Sequence, residues 1–411
     1  MAKRKFDIVV WGATGFTGQL VVEYLIATYG IAGELKWAIA GRNESKLKAV
    51  RKSCLPSAQR DQLPILIADS DDAESLATLA NATRVLCSTV GPYAKYGSTV
   101  VAACVDAGTD YCDLTGEVHW MAQMIHRYQA AAEASGARIV HTCGFDSIPF
   151  DMGNWYLQQA TLERTGAPAR HVKTRVGRNR GAASGGTVAS MLNMMEEATR
   201  DPSIRQLMAD PYALYPEGIE AGEDGPDQTG PVFDADFHQW TSPFIMAVVN
   251  TRVVRRSNAL LGFPWGEDFL YDEALLTPSR FQAARNSLAA GAGIITMAIG
   301  PTRKLVQRFL PKPGEGPTRK QREAGYYEIF LWGLDPRDRT RDTVVKVTGD
   351  MDPGYGSTSK MLGEAAVCLA RDKLTVKGGF WTPASALGEH LLERLVNSAG
   401  LTFEVIDPGT F

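Results

Sequence analysis

The chain contains 411 residues, of which 45% are hydrophobic and 22% charged, and its formal net charge is -3. This length predicts at least two domains, because domains usually contain about 100 to 200 residues. The near-neutral charge and ordinary composition exclude a disordered chain and a strongly basic nucleic-acid-binding protein. We therefore expect no nucleic-acid partner.

Six cysteines are present, and they form neither a C-x-x-C pair nor a His/Cys cluster with zinc spacing. We therefore predict no metal site and expect the thiols to be small buried side chains. The N-terminal residues run directly into a strand pattern, without the long apolar stretch of a secretion signal. A reducing, cytoplasmic location is the expectation that follows.

Short β-branched segments alternate with segments of helical pattern from Phe6 to about residue 160. The strand-like segments are, in order, FDIVVW, LKWAIA, PILIAD, TRVLCSTV, DYCDL and ARIVHTC. This alternation predicts a doubly wound parallel sheet with crossover helices, the Rossmann arrangement. The first helix should follow the first strand, since Leu20, Val21 and Leu25 share one helical face and Gly30 stands at the expected end.

After Gly153 this alternation is lost, and helical patterning returns only in the last part of the chain. We predict an α/β protein with a Rossmann dinucleotide-binding domain over 1–155. An α+β substrate or dimerisation domain is predicted over 156–350, and the helical pattern over 351–411 predicts C-terminal helices that either pack back on the first domain or close the second. Residues 201–237 are acidic and contain several Pro and Gly, which predicts a surface loop or an excursion of the second domain.

A glycine-rich loop, GATGFTG, joins the first strand to the first helix. Gly12 allows a tight turn, Gly15 lets the backbone approach a pyrophosphate, and Gly18 permits close packing of the helix on the sheet. The phosphates would bind backbone N–H groups at the positive end of the helix, those of Thr14, Phe16 and Thr17. Strand, loop and helix together predict a dinucleotide site.

The second strand ends in AGRN, where a protein that prefers NAD usually carries an acidic residue. Arg42 stands there instead, and Lys46 follows one turn later, so the sequence favours the 2′-phosphate of NADP(H) over NAD(H). The alternative is that Arg42 is a solvated loop charge. Asp69, at the end of the third strand, either accepts a hydrogen bond from the adenine amine or caps the next helix.

The loop after the fourth strand, STVGPY, opens at the carboxyl edge of the sheet, where the nicotinamide half of a dinucleotide binds. Its candidate cofactor contacts are Ser88, Thr89, Gly91 and Pro92. Tyr93 and Tyr96 are the nearest side chains able to donate a proton after hydride transfer, and Tyr93 is a candidate catalytic residue. In the alternative interpretation both tyrosines are aromatic residues at the rim of the site.

Two further motifs end neighbouring strands: YCDLTGE, with Asp113 and Glu117, and CGFDSIP, with Asp146 and Ser147. Since the carboxyl ends of parallel strands meet at one edge of a sheet, these side chains are site candidates, and Asp146 is the second candidate catalytic residue. Alternatively, Asp146 or Ser147 caps the following helix, and Glu117 binds a neighbouring backbone amide. The stretch GAASGGT, 181–187, provides either backbone amides for a substrate oxygen or a simple turn.

Eight motifs occur in the following order: GATGFTG, AGRN, STVGPYAKYG, YCDLTGE, CGFDSIPFDMG, SGGT, PGEGP and DPGYGSTSKML. Together they resemble the saccharopine-dehydrogenase-like oxidoreductases, especially the branch that includes the trans-acting enoyl reductases, over nearly the whole chain. The resemblance implies a second domain whose sheet covers the cofactor cleft, with the last helices returning to the first domain. For this branch it also implies reduction of a carbon–carbon double bond in an acyl chain made by a separate synthase.

Three functions are compatible with these patterns. The first is an NADP-dependent oxidoreductase that reduces the enoyl or acyl chain of a lipophilic substrate. The second is a saccharopine-type amino-acid dehydrogenase, which would need several Arg or Lys side chains at the second-domain face of the cleft. The third is a catalytically silent nucleotide-binding protein associated with a membrane or lipid surface. A second copy of the chain, in a homodimer, is a further candidate partner.

Residues 288–300, LAAGAGIITMAIG, are almost wholly apolar and are followed by a basic stretch that reaches Arg322. The run is too short to span a bilayer, which needs about 20 such residues. It predicts either a buried helix of the second domain or a surface helix. A surface helix would bind a membrane or lipid surface through 288–322 and make the protein peripheral to the membrane.

Overall fold

The computed structural model describes residues 4–181, 185–298, 300–306 and 314–411. Strands and helices alternate through the first part of the chain: β1 (Phe6–Trp11), α1 (Phe16–Tyr29), β2 (Trp37–Gly41), α2 (Glu44–Cys54), β3 (Ile65–Ile67), α3 (Ala73–Ala82), β4 (Thr83–Ser88), α4 (Tyr93–Tyr96), α5 (Ser98–Ala107), β5 (Asp110–Asp113), α6 (Val118–Ser135), β6 (Arg138–Val140) and α7 (Ile148–Thr165). Every strand that the alternating pattern predicts is therefore present.

The remainder of the chain is less regular in its order of elements. These are β7 (His171–Arg180), α8 (Gly185–Arg200), α9 (Pro202–Ala209), β8 (Val232–Asp234), β9 (Gln239–Ser242), α10 (Ala247–Leu260), β10 (Leu270–Thr277), α11 (Arg280–Ala298), α12 (Gly300–Val306), α13 (Arg319–Glu323), β11 (Tyr326–Leu334), β12 (Thr343–Gly349), α14 (Thr358–Arg371), β13 (Gly379–Trp381), α15 (Pro383–Asn397) and β14 (Leu401–Ile406).

The first sheet contains seven parallel strands in the order β13-β6-β5-β4-β1-β2-β3. The strand order runs outward from β1 and β4 in opposite directions, which is the doubly wound Rossmann arrangement that the sequence predicts. The register places Ser88, at the end of β4, beside Trp11 of β1 and Asp113 of β5. The loops of the predicted site therefore begin at one level of the sheet.

One strand of this sheet is not predicted by the sequence pattern. β13 lies beyond β6 and pairs with it in parallel, with Gly379 beside Arg138. Its three residues are too few to give a periodic signal. Tertiary packing fixes its position instead, because Phe380 is buried and its N–H donates to Oε1 of Gln129, on α6, at 3.1 Å.

The second sheet also has seven strands, in the order β14-β12-β11-β7-β10-β9-β8. Strands β7 and β10 run parallel, and the other neighbouring pairs are antiparallel. Helix α7 packs on β11 and β12, where Ile329, Leu331 and Val345 are fully buried. The predicted α/β class, with a Rossmann sheet followed by an α+β unit, is confirmed.

The C-terminal helices return to the first domain, as predicted. Helix α14 packs on α1, β4 and β5, and α15 packs on α7 and α14. The Tyr29 hydroxyl of α1 lies 2.8 Å from Oε1 of Glu364 on α14, and Arg394 of α15 donates to the same carboxylate at 3.3 Å. Because the last segment also gives β13 to one sheet and β14 to the other, the proposed domain boundaries stay a prediction.

The acidic segment 201–237 is mostly exposed, as an excursion of the second domain would be, but it is not a simple loop. It contains α9 and β8, and buried arginines of α10 donate hydrogen bonds to its backbone carbonyls: Arg252 to Asp210, Arg255 to Pro211 and Arg256 to Leu214. Buried guanidinium groups need such acceptors, so the helix and the segment stabilise each other. The segment is therefore bound into the domain.

The apolar run 288–300 lies mostly in α11, where Leu288 and Ile295 are exposed. The prediction of a buried helix is therefore wrong, and the surface helix is observed. Residue 299 and residues 307–313 of the basic stretch lie outside the described residues. In the part of the chain that the structure describes, no helix is long and apolar enough to cross a membrane.

Candidate functional site

The glycine-rich loop between β1 and α1 leaves the start of α1 without a side-chain cap. Gly12 has a φ of 84°, and a Cβ there would lie 2.5 Å from Val90. A Cβ on Gly18 would lie 2.2 Å from the carbonyl oxygen of Gly12, whereas one on Gly15 would meet only that oxygen, at 3.3 Å. Gly12 and Gly18 are therefore required by the fold, and Gly15 keeps a space open at the positive end of α1.

The turn from β2 into α2 presents two cations to solvent. Arg42 and Lys46 are exposed, and among the described residues neither side chain has a hydrogen-bond or ion-pair partner. Asn43 caps α2 by accepting from the Lys46 N–H at 2.9 Å, which fixes the backbone between the two cations. Both charges are therefore available to a phosphate.

Asp69, after β3, does not cap α3. Asp72 does so, since its Oδ1 accepts from the N–H of Glu74 at 3.1 Å and of Ser75 at 3.4 Å. Asp69 instead accepts from the Asp71 N–H at 3.2 Å and stays partly exposed. The capping interpretation of Asp69 is wrong, and its role as an adenine acceptor stays a prediction.

The loop after β4 is tied to the glycine-rich loop. Oγ1 of Thr89 donates to the carbonyl oxygens of Trp11, at 3.0 Å, and Gly12, at 3.2 Å. Ser88 is buried, and its Oγ has no hydrogen-bond partner within the described ranges. Gly91 faces α8, since a Cβ there would lie 3.4 Å from the Ser190 hydroxyl oxygen. Pro92 follows as the N-cap residue of α4.

Tyr93 is only 3% exposed, beneath this loop. Its hydroxyl donates to the Ser88 carbonyl at 3.2 Å, and burial, reinforced by the nearby Asp113 carboxylate, raises its pKa well above the usual value. Glu117 accepts from the N–H groups of Tyr93, at 2.8 Å, and Ala94, at 2.9 Å. Glu117 therefore holds the start of α4, in agreement with the interpretation that it binds backbone amides.

Asp113 joins the ends of β5 and β6. Its Oδ1 accepts from the N–H of Thr115 at 3.1 Å and of Thr142 at 3.2 Å, while Oδ2 lies 2.8 Å from Nδ1 of His141. Both side chains of the pair are buried. These contacts occupy the Asp113 carboxylate and give it a structural role, so it is a poor candidate for proton transfer.

Asp146 contrasts with Asp113. Across the part of the chain that the structure describes, its carboxylate has no hydrogen-bond or ion-pair partner, and burial raises its pKa to about 6. A Cβ built on Gly116 would lie 3.5 Å from Oδ2 of Asp146, 3.7 Å from Val249 and 3.8 Å from Met246. The carboxyl group and two apolar side chains therefore surround one small space beside Gly116.

The prediction that Asp146 or Ser147 caps α7 is wrong. Helix α7 follows Ser147 without a side-chain capping bond, and the Ser147 hydroxyl donates instead to Oδ1 of Asn250 at 3.3 Å. The Asn250 amide in turn donates to Glu273 at 3.0 Å, and burial raises the pKa of Glu273 to about 8. This buried chain fixes the turn behind Asp146, and sequence analysis misses it because its members lie on three separate elements.

Residues from the second half of the chain close over the glycine-rich loop. Tyr355 packs edge-on against Phe16, with ring centres 5.3 Å apart, and the Arg322 guanidinium lies 5.6 Å from the centre of the same ring. A Cβ on Gly316 would lie 2.4 Å from a Phe16 ring atom, which explains the glycine there. The PGEGP and DPGYG motifs therefore meet the glycine-rich loop, a contact that sequence analysis does not predict.

Two remaining predictions have different outcomes. Of the GAASGGT stretch, residues 182–184 lie outside the described residues, so neither of its interpretations is decided. Tyr96 is exposed at the end of α4, which agrees with a rim position. Within the described ranges there is no group of three or more His, Cys, Asp or Glu side chains placed to hold a metal ion.

Comparison with known proteins gives three further findings. Residues 8–140 match the family model described as the saccharopine dehydrogenase NADP-binding domain. A protein of Mycobacterium tuberculosis is 41% identical, over 98% of this chain and 97% of that protein. Two relatives named trans-acting enoyl reductase are 38% identical, in M. tuberculosis, over 96% of both chains, and 35% identical, in M. leprae, over 97% of both.

A solved structure shows the same fold at low sequence identity. It is the saccharopine dehydrogenase (L-Glu forming) of Saccharomyces cerevisiae, without bound ligand, which is 13% identical to this chain with a TM-score of 0.52. The superposition covers 97% of this chain and 99% of that protein. At this identity the likeness establishes the arrangement of the two sheets and nothing about the substrate.

Proposed function

Since the chain belongs to the saccharopine-dehydrogenase-like oxidoreductases, in the branch of the trans-acting enoyl reductases, we propose that it is an NADPH-dependent enoyl reductase of a lipophilic acyl substrate. One observation carries the proposal. The Asp146 carboxyl, with its raised pKa, stands unpartnered beside the apolar side chains of Met246 and Val249, at the sheet edge that also bears the glycine-rich loop. An acid and an apolar wall are what protonation of a hydrocarbon chain requires.

The residues at the start of α1 fit a dinucleotide. The uncapped helix end and the open space at Gly15 favour a pyrophosphate, bound through backbone N–H groups of Thr14, Phe16 and Thr17. The β4 loop, from Ser88 to Pro92, then lies where the nicotinamide half would bind. Thr89 holds the two loops together, so both halves of the cofactor would meet a preorganised surface.

The phosphorylated cofactor is part of the proposal. Arg42 and Lys46 provide two unpaired cations where a ribose 2′-phosphate would lie, and the one acid between them, Glu44, is paired with Lys48 at 2.8 Å. An arginine fork binds phosphate oxygens at two points and can stack on adenine. Asp69, which follows the neighbouring strand β3, would accept a hydrogen bond from the adenine amine.

Reduction of the double bond needs a hydride and a proton on adjacent carbons. A reduced nicotinamide, when bound, supplies the hydride. Asp146 donates the proton to the other carbon, becomes a carboxylate and recovers a proton from water. Its pKa of about 6 keeps a fraction protonated near neutral pH. Tyr93 is the alternative donor, but its hydroxyl proton is already engaged by the Ser88 carbonyl.

The saccharopine-type alternative lacks support from the second domain. A dicarboxylic substrate would need unpaired cations, but the buried arginines of α10 are already bonded in the described structure. Arg252 pairs with Asp227, Arg255 pairs with Asp224, and Arg256 donates to two backbone carbonyls. These guanidinium groups stabilise the fold, and the side chains of α10 and its N-cap that lie beside Gly116, Val249 and Met246, are apolar.

The decisive experiment is an assay of the purified protein with NADPH and a long-chain 2-enoyl thioester. We expect loss of reduced-nicotinamide absorbance together with a product heavier by two hydrogen atoms. The saturated thioester, saccharopine and NADH serve as controls. Turnover with saccharopine instead would establish the amino-acid dehydrogenase. NADPH binding without turnover of any enoyl thioester would favour a silent nucleotide-binding protein and overturn the proposal.

A further inference from the structure

Helix α11 carries a line of solvent-exposed apolar side chains on its outer face. Phe281 is 79% exposed, Leu288 75% and Ile295 62%. Because they are seven residues apart, close to two helical turns, they share one face of the helix. Ala284 and Ala292 are exposed between them. We call this line, from 281 to 295, the α11 ridge; at 1.5 Å per residue it is about 21 Å long.

The inner face of the same helix is firmly packed. Ala283 is fully buried, the Asn286 amide lies 3.5 Å from the Ser242 hydroxyl of β9, and α11 contacts β9, β10 and α8. The ridge is therefore not the core-facing side of a loosely attached helix. It is an outward face whose apolar side chains have no protein covering in the described structure, and monomers seldom expose such a line without a use for it.

The sequence segment that carries the ridge has charge of one sign only. Between residues 274 and 314 the sequence contains no Asp or Glu, although the whole chain has a net charge of -3. The basic residues of this stretch are Arg280, Arg285, Arg303, Lys304, Arg308 and Lys312. Arg285 is exposed on α11 itself, close to the ridge face. This excess of positive charge is complementary to an anionic surface.

An aromatic cluster extends this surface at the N-terminal end of α11. The Arg280 guanidinium lies 5.5 Å from the centre of the Trp240 ring, and Phe233 packs on Trp240 with ring centres 5.6 Å apart. Phe233 is itself exposed on β8, the edge strand of the second sheet. Aromatic rings beside arginines are typical of side chains that lie at the boundary between lipid and water.

We propose that the α11 ridge binds the surface of an anionic lipid bilayer, with Phe281, Leu288 and Ile295 entering the boundary between headgroups and acyl chains. Arg280 and Arg285, both exposed on α11, would contact the headgroups. A bilayer suits this face because the side chains stand out on a convex helix, and a fluid surface needs no matching pockets, unlike a protein partner. The proposal does not depend on the reaction catalysed.

Vesicle flotation of the full-length protein tests the proposal. Vesicles of phosphatidylcholine containing phosphatidylglycerol are compared with vesicles of phosphatidylcholine alone, at low and high salt. We expect binding to the anionic vesicles that weakens at high salt. The combined variant Phe281→Ser, Leu288→Ser and Ile295→Ser should bind at least about tenfold more weakly, because it removes the apolar groups that enter the bilayer.

Two control variants separate the ridge from general surface effects. Leu162→Ser, Val396→Ser and Val405→Ser together remove three apolar side chains that are 47%, 47% and 49% exposed elsewhere, and this variant should bind as the unmodified protein does. Arg285→Glu should weaken binding about fivefold on anionic vesicles alone, while Arg337→Glu, a charge reversal on the exposed loop between β11 and β12, should not.

Three results would overturn the proposal. The first is the absence of vesicle binding by the unmodified protein, and the second is an equal loss in the ridge variant and its apolar control. The third is a dimer in solution that the ridge variant dissociates, which would make the ridge an interface between two copies. Thermal unfolding and circular dichroism of each variant confirm that it is folded, so that a loss of binding reports on the surface alone.

Discussion

The glycine-rich loop and the Asp146 region lie at the same edge of one sheet but are built in different ways. The loop presents backbone N–H groups and no side chain at its glycines. A Cβ on Gly12 or Gly18 would clash with neighbouring atoms. The Asp146 region depends on one side chain whose pKa is raised by burial. A site built from backbone groups tolerates no added side-chain atoms, whereas the reactivity of a half-buried carboxyl is adjusted through its surroundings and through pH.

The largest expected effect comes from filling the space in the glycine-rich loop. In Gly15→Val the new side chain would occupy the position of the pyrophosphate and raise the Kd for NADPH at least about 100-fold. Calorimetric titration measures it. Gly225→Val is the matched control, because a Cβ there meets nothing within 4 Å. Unchanged affinity in the Gly15 variant would remove this loop from the nucleotide site.

Removing the carboxyl group of Asp146 should have the next largest effect. Asp146→Asn should lower kcat/KM for an enoyl thioester about 100-fold and leave the Kd for NADPH unchanged, because a general acid acts on the reaction and not on nucleotide binding. Asp106→Asn, on the exposed face of α5, is the control. Full activity in the Asp146 variant would transfer the role of proton donor to Tyr93 or water.

The pH profile sharpens the same prediction. An acid must be protonated to act, so kcat/KM of the unmodified protein should fall as the pH rises above about 6, the pKa of Asp146. The residual activity of Asp146→Asn should lack that decline. If both proteins show the same profile, the decline belongs to another group.

Charge reversal at Arg42 tests whether this side chain gives the nucleotide site its preference for NADPH. Arg42→Asp should shift the ratio of NADPH to NADH affinity by about 10- to 100-fold towards NADH, because one charge-assisted contact to the 2′-phosphate is lost and a repulsive one is gained. Lys52→Asp, on an exposed position of α2, makes the same change in net charge and should leave the ratio nearly unaltered. A variant that still prefers NADPH would place the phosphate elsewhere.

The smallest expected effect concerns the contact between α13 and the glycine-rich loop. Arg322 reaches over Phe16 from the second half of the chain, so Arg322→Ala should weaken NADPH binding about three- to tenfold. Arg319→Ala, which removes an exposed arginine paired with Glu323 on the same helix, is the matched control. Equal effects of the two substitutions would mean that Arg322 acts only through general charge.

The sequence predicts the Rossmann half well because its signals are local. β-branched runs, helical faces and turn glycines each occupy neighbouring residues, so the strands β1 to β6 and the loop at Gly12 are found without long-range information. The loop that carries Arg42 is found in the same way. Strand β13 is missed, because it has only three residues, lies in the C-terminal part of the chain and joins this sheet only through tertiary packing.

The roles of the acidic side chains could not be predicted in the same way. Asp113, Glu117 and Asp146 lie at or after the ends of neighbouring strands, and the sequence makes all three site candidates, with Asp146 as the catalytic one, but it cannot show which carboxyl lacks a partner. The structure separates them, since Asp113 accepts two backbone N–H bonds and pairs with His141, Glu117 holds the start of α4, and Asp146 keeps an unpartnered carboxyl. Hydrogen-bond partners from distant segments make this distinction.

The sequence by itself therefore determined the fold class, the dinucleotide loop and the one-sided charge of 274–314. These depend on short-range geometry and on composition, which any chain displays before it folds. Only the tertiary structure decided which carboxyl is unpartnered, that Phe16 lies beneath Arg322 and Tyr355, and that the apolar run of α11 faces outward. Burial and exposure are properties of packing between distant segments, and periodicity along the chain does not contain them.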